Sequence, residues 1–183
     1  GVQAKMQLEI LCSVVEAKSA LIWGRNKEKV GRMVSELGAS DALLASDMEV
    51  RAVESVEELA DQSRLIVTAT SAHEPVLRAD QVQPGTHITA MGSDDDGKQE
   101  LDVALLGKAD RIVADSISQC SQYGECVHAI NAGVISLDDI TELGAVVSGS
   151  TDGRTSDDQI TIADLTGVAV QDIQIAKMIA RAR

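Results

Sequence analysis

Gly1-Val2-Gln3-Ala4 opens an amphipathic helix pattern. Leu21-Ile22-Trp23-Gly24-Arg25-Asn26, about twenty residues on, reads as a strand running into a basic loop. Taken together they read as the tail of a Gly-x-Gly-x-x-Ala turn, with Gly1 as its second glycine and Ala4 as its third small residue. Such a turn lets backbone approach a pyrophosphate and sets a helix N-terminus against it. On this reading the strand and first glycine that normally precede the turn are missing from the chain.

Outward from this stretch, helical and strand patterns alternate. Helices are expected over 2–17, Lys27–Leu37, about 102–107, 116–132 and Thr166–Arg181. Ser55-Val56-Glu57-Glu58 resembles a capping box and predicts a short helix to Gln62. Strands are expected at Ser19–Trp23, Val50–Val53, Arg64–Ala69, Thr86–Met91, Asp110–Asp115 and Gln159–Ala163, and 144–158 reads as an exposed loop. Alternation of this kind predicts an α/β fold: a Rossmann-like, doubly wound, mostly parallel sheet lacking its first strand. The expected division is a dinucleotide-binding domain over 1–163 and a C-terminal helical part over 164–183 that returns to an absent second lobe.

Composition narrows the partners. The 183 residues include one Trp, one Tyr and no Phe, so the core must be aliphatic. A net charge of −13 disfavours nucleic acid. No apolar run approaches the roughly 20 residues of a membrane span. Cys12, Cys120 and Cys126 lack ligand spacing with His73, His87 or His128, so reduced thiols, no metal and a cytoplasmic setting are expected.

The end of the second strand speaks to the cofactor. NAD enzymes usually place an acid there for the ribose 2′-hydroxyl. Here Gly24, Arg25 and Asn26 stand instead, followed by Lys27, Lys29 and Arg32. A guanidinium can pair with a 2′-phosphate that a carboxylate would repel, so NADP(H) is favoured over NAD(H). The same bases also fit a solvated helix face with Glu28 and Glu36. An adenosyl cofactor is disfavoured, because its sites usually want the missing acid.

Two segments could carry chemistry. Thr68-Ala69-Thr70-Ser71 ends a buried strand with small residues. Ala90 through Leu101 leaves another strand, breaks at Gly92 and presents Asp94, Asp95, Asp96 and Lys98. Charge pattern alone reads this as a polar surface loop; crowded carboxylates could also raise one pKa and serve proton transfer.

An ordered set of motifs decides the weighting. Gly1 to Leu8, Ile22 to Asn26, Val67 to Thr70, Glu74 to Leu77, Pro84 to His87, Gly92-Ser93-Asp94, Gly97 to Asp102, Glu142-Leu143-Gly144, Gly153 to Asp158 and Ala169 to Asp172 occur in one order. The whole chain thereby resembles the ornithine cyclodeaminase/mu-crystallin family. The surroundings of Asp94 and of Asp164-Leu165-Thr166-Gly167 are most similar to its ectoine-utilisation cyclodeaminase branch.

The resemblance implies a bilobal homodimer with a Rossmann lobe, acting by hydride transfer at an amine or imine carbon of a small amino acid or cyclic imine. Mu-crystallin-type ligand binding without catalysis is the alternative. Asp94 takes the place of the catalytic acid/base. Gly1, Val2 and Gln3 would meet the pyrophosphate; Gly24, Arg25, Asn26 and Lys29 the 2′-phosphate side; Thr68 and Thr70 the adenosine. Met91, Gly92 and Ser93 would run beside the nicotinamide, Lys98 would contact cofactor or steady Asp94, Leu165 would border the cofactor and Thr166 the substrate. Leu165 replaces a small polar residue of cyclodeaminases, which counts against ornithine as substrate. The chain alone is expected to be inactive, its dimer contacts lying in the missing lobe.

Overall fold

A computed structural model describes residues 1–181. Every strand pairing in it is parallel. The main sheet has the order β3 (Leu65–Thr68), β5 (His87–Ala90), β9 (Thr161–Asp164), β7 (Arg111–Ala114), β8 (Ile140–Glu142). A separate pair joins β1 (Ser19–Ile22) to β2 (Glu49–Ala52), and a small side sheet joins β4 (His73–Leu77) to β6 (Gln99–Leu101). The aliphatic core predicted by the lack of aromatics is centred on the middle strands, where Ile88 and Ile162 are fully buried. Burying each such side chain contributes about 1.5–3 kcal/mol. A second cluster, Cys12, Leu37, Leu43 and Met48, sits beneath β1 and β2.

Between β1 and β3 runs a groove of about 390 Å3, lined by Ser19–Trp23 on one side and Arg64–Val67 on the other, with Leu8, Leu11 and Met33 also facing it. Among the described residues β1 pairs only with β2, and β3 only with β5. The edges of β1 and β3 that face this groove are therefore unpaired among the described residues.

Local chemistry starts the helices. Helix α2 (Lys27–Gly38) begins where the Asn26 side chain accepts the Lys29 N–H at 2.9 Å. Helix α4 (Val56–Gln62) begins where the Ser55 hydroxyl accepts the Glu58 N–H at 3.1 Å. The Glu58 carboxylate reaches back to the N–H of Glu54 (3.1 Å), so the expected capping box is closed one residue early. Asp102 caps α5 (Val103–Lys108) through the Ala104 N–H at 3.1 Å.

Several expectations are corrected. Helix α1 spans Val2–Leu11 rather than 2–17, because the Ser13 hydroxyl takes the Ile10 carbonyl at 2.7 Å and competes with the helix ladder. The helix expected over 116–132 is two, α6 (Ile117–Cys120) and α7 (Cys126–Asn131), divided at Gly124 with φ +102°. The final helix, α9 (Ala169–Arg181), starts later than Thr166 because Gly167 takes φ +87°. The loop expected over 144–158 contains most of α8 (Leu143–Val147) before the chain turns at Gly149. Strands β4, β6 and β8 and helix α3 (Asp41–Ser46) were not anticipated. Pro75 masks the strand pattern of β4, and β6 and β8 have three residues each, too short to show a period.

Candidate active site

The five strands of the main sheet end flush. Thr68 is level with Ala90, Ala90 with Asp164, Asp164 with Ala114, and Ala114 with Glu142. From this rim leave Ala69-Thr70-Ser71, Met91 through Asp94, Leu165-Thr166-Gly167 and Asp115-Ser116. The topology therefore gathers Thr68, Thr70, Met91, Gly92, Ser93, Asp94, Leu165 and Thr166 at one end of the sheet, as ligand sites on such sheets require.

Glu100 ties two of these segments together. It is fully buried, and its carboxylate accepts the Thr68 hydroxyl (2.7 Å), the Thr70 N–H (2.6 Å) and the Gly92 N–H (2.8 Å). Only glycine fits at position 92, where a Cβ would lie 2.3 Å from the Thr70 carbonyl oxygen and 2.5 Å from the Glu100 carboxylate. The Thr68 hydroxyl is thus committed inward. What it offers the rim is backbone, since its carbonyl accepts the Met91 N–H at 3.0 Å.

Asp94 stands outside this buried floor with its side chain about half exposed. Lys98 Nζ lies 2.5 Å from its Oδ1. That hydrogen bond, with the surrounding acids, holds the Lys98 ammonium above its usual pKa. Ser93 points the other way, buried, with its hydroxyl donating to Glu125.

Thr166 is also spoken for. Its hydroxyl donates to Asp115 at 3.1 Å and accepts from Gln119 Nε2 at 2.8 Å. Asp115 further accepts the Gly167 N–H at 2.7 Å. Leu165 is half-buried, its N–H on the Ala90 carbonyl at 2.8 Å. Beneath these, Asp164 accepts the N–H groups of Glu125 and Cys126, both at 2.9 Å, and so restarts the chain as α7. Burial pushes the Asp164 carboxyl upward and Glu125 up to about 7.

Sequence reasoning missed this set of acids: Glu100, Glu125, Asp164 and Asp115. Glu100 and Asp164 lay inside quoted motifs, but nothing in their spacing marked them as buried. Gly124 was the available signal, because a Cβ there would come within 2.8 Å of the Asp164 carboxylate.

The basic loop sits apart from the rim acids. Arg25 and Trp23 line a cleft of about 590 Å3 with Glu54, Ser71, His73 and Arg78. Arg25 makes no ion pair among the described residues, whereas Lys27 pairs with Glu54 and Arg32 with Glu28. Asn26 spends its side-chain oxygen on the α2 cap, and Lys29 is exposed on the first turn. Gly24 lies close to Val30, 3.0 Å from a would-be Cβ. At the start of α1, Gly1 offers no side-chain cap and Val2 and Gln3 are exposed, which leaves the first-turn N–H groups open. Helix α1 packs on α2 and α3, and Lys5 reaches Glu36 at 3.0 Å. Among the described residues no group of three or more His, Cys, Asp or Glu side chains is placed to hold a metal, and no helix is long and apolar enough to cross a membrane.

A parallel α/β sheet with segments of this kind leaving its carboxyl rim is a Rossmann-like fold. The sequence profile of the ornithine cyclodeaminase/mu-crystallin family matches residues 1–182, and the chain belongs to that family. It is 44% identical over 181 residues to a Sinorhizobium fredii protein described as an uncharacterized cyclodeaminase, covering 97% of this chain and 53% of that protein. Its fold matches the iminosuccinate reductase of Paracoccus denitrificans, solved with NAD+, at TM-score 0.87 and 39% identity, over 99% of this chain and 53% of the other. It also matches the Thermococcus litoralis Δ1-pyrroline-2-carboxylate reductase, solved with NADH and L-proline, at TM-score 0.88 and 29% identity, over 97% and 54%. The chain spans about half the length of the curated relatives it matches.

Proposed function

We propose that this chain is the cofactor-binding part of a nicotinamide-dependent oxidoreductase or cyclodeaminase that works at an amine or imine carbon of a small amino acid or cyclic imine. The observation that carries this is the flush strand rim, which sets a half-exposed Asp94 beside the glycine-tight turn at Gly92. Family membership and the reactions for which the relatives are named support the same class.

The residues fit a dinucleotide. The open N–H groups at Gly1–Gln3 would hold a pyrophosphate, the cleft of Arg25 and Trp23 would take the adenosine side, and the backbone of Met91-Gly92-Ser93 would flank the nicotinamide. Arg25, with no carboxylate partner among the described residues, supports NADP(H) over NAD(H), with Lys29 nearby and no acid at Gly24. When bound, the nicotinamide accepts or supplies the hydride. Asp94 takes the proton from the amine nitrogen as the C–H bond breaks, or returns it in the reverse direction. Lys98 fixes the carboxylate that does so. Thr166, buried with its hydroxyl held by Asp115 and Gln119 and its methyl group against Gly124, would meet substrate through its backbone.

The second lobe and a homodimer belong to the same reading. The exposed apolar side chains of α9 (Val170, Ile173, Met178) support a partner surface there.

Titration of the full-length protein with NADPH and NADH tests the cofactor reading, and tighter NADH binding would sink the preference. Asp94→Asn is expected to abolish turnover on cyclic imines or amino acids while leaving cofactor binding intact. Cofactor binding with no turnover in the native protein would instead favour a mu-crystallin-type binding role.

A further inference from the structure

The head of α7 approaches the back of the segment that carries Asp94, and touches it with side chains three residues apart. Glu125 is 1% exposed. Its carboxylate accepts the Ser93 hydroxyl, the Glu100 N–H at 2.8 Å and the Leu101 N–H at 2.8 Å. His128 Nε2 lies 2.7 Å from the Lys98 carbonyl oxygen, so it must carry the proton and donate. Between these ties, Ser93 to Leu101 forms a closed loop, pinned at both ends from behind and crossed in front by the Lys98–Asp94 pair.

We propose that Glu125 is a positioning residue for Asp94, holding the Ser93–Leu101 segment in the conformation that presents the Asp94 carboxylate at the strand rim. The proposal rests on reading Asp94 as the proton-transfer group.

A carboxylate is needed at this spot. Oε1 accepts from both Ser93 and Glu100, and Oε2 from Leu101. An amide in its place would turn an N–H2 group toward one of these donors. The carboxylate carries this load without a cation: among the described residues no Lys, Arg or His pairs with it. The groups that face it are acidic or neutral. Asp164 sits on its own N–H, the Cys126 thiol lies beside it, Cys120 and Asp115 lie beyond Asp164, and the Glu100 carboxylate turns away to Thr68, Thr70 and Gly92. Lys98, on the segment that Glu125 holds, spends its ammonium on Asp94.

Burial accordingly pushes Glu125 up to about 7. Protonation puts an O–H on one of these oxygens and weakens it as an acceptor, so the grip is strongest when Glu125 is ionised. Presentation of Asp94 should therefore weaken as pH falls through about 7.

The test uses the full-length protein. Glu125→Gln is expected to lower kcat roughly 10- to 100-fold, the scale of a small misplacement of a catalytic group. Its KM for cofactor should be little changed, and the fall of kcat below about neutral pH should be absent. Glu125→Asp, which keeps the charge, is expected to retain the pH limb and recover part of kcat. Where Glu125→Gln does not fold, Ser93→Ala removes the hydroxyl and leaves the buried carboxylate; it is expected to show a similar kcat loss. Wild-type kcat and an unchanged pH limb in these variants would overturn the proposal, even if thermal stability drops, because that pattern belongs to a purely structural residue. Asp94→Asn separates the two readings. Full turnover in that variant sinks the catalytic assignment and this proposal with it; a dead Asp94→Asn beside a normal Glu125→Gln sinks only the positioning role.

Discussion

Lys98 Nζ and Asp94 Oδ1 lie 2.5 Å apart, an ion pair four residues apart that closes a loop rather than a helical turn. The pair is solvent-facing, so it adds little to folding and much to the aim of one carboxylate. Lys98→Met is therefore expected to leave the unfolding midpoint almost unmoved while lowering turnover. The pairing holds Lys98 above its ordinary pKa, so its contribution is present through neutral pH and is lost only as strongly alkaline pH passes that raised value. Equilibrium unfolding and steady-state kinetics on one variant check both halves.

Gly92 and Gly31 should respond oppositely to alanine. At Gly92 the new methyl meets the Thr70 carbonyl at 2.3 Å and the Glu100 carboxylate at 2.5 Å, with no flexible neighbour to yield on the backbone side. A loss of about 1–3 kcal/mol or more is expected. Gly31 sits inside α2 with nothing within 4 Å of a Cβ. Alanine there should stabilise by about 0.8–1 kcal/mol through helix propensity. Urea unfolding of the two variants makes the comparison; a neutral Gly92→Ala would contradict the tight turn.

The buried acids predict an unusual pH dependence of stability. Glu125 has an ordinary value of 4.5 unfolded and about 7 folded, so the native state holds the proton longer. Stability then falls as pH rises from about 5 to about 7, by at most about 3 kcal/mol for this group. Asp164, raised by burial, pulls in the same direction. Unfolding free energies at pH 5 and pH 7.5 should show the decline, and Glu125→Gln should flatten it. Greater stability at the higher pH would contradict ionisation of these acids against their burial. Ionisation thus improves the placement of Asp94 while costing stability.

The groove between β1 and β3 predicts a gain from an added strand. An apolar β-strand segment fused before Gly1 should raise the thermal midpoint, as the β1 and β3 edges that are open among the described residues gain backbone partners. An unchanged midpoint would mean the groove takes no strand.

The strands that build the rim were legible because each is a short run between turn residues centred on an isoleucine that proves buried: Ile66, Ile88 and Ile112. Asp94 and Gly92 were legible only through the ordered motifs, since their charge pattern alone matched a surface loop. What stayed hidden depends on contacts far apart in the chain. Glu100 looks like any exposed acid until Thr68, Thr70 and Gly92 surround it. The break at Gly124 could not be read locally, because the acceptor that restarts the helix is Asp164, some forty positions on. Thr166 pointed to substrate by resemblance, and its hydroxyl is occupied by Asp115 and Gln119.

The level ending of Thr68, Ala90, Asp164, Ala114 and Glu142 works as a common datum. Heights above it can be counted in residues along each emerging segment, and neighbouring segments share the same zero. A single-residue insertion in one segment would shift one corner of the site by a residue's length and leave the others in place. A scaffold of this kind can be retuned for a different amine or imine one corner at a time, with no change to the sheet beneath.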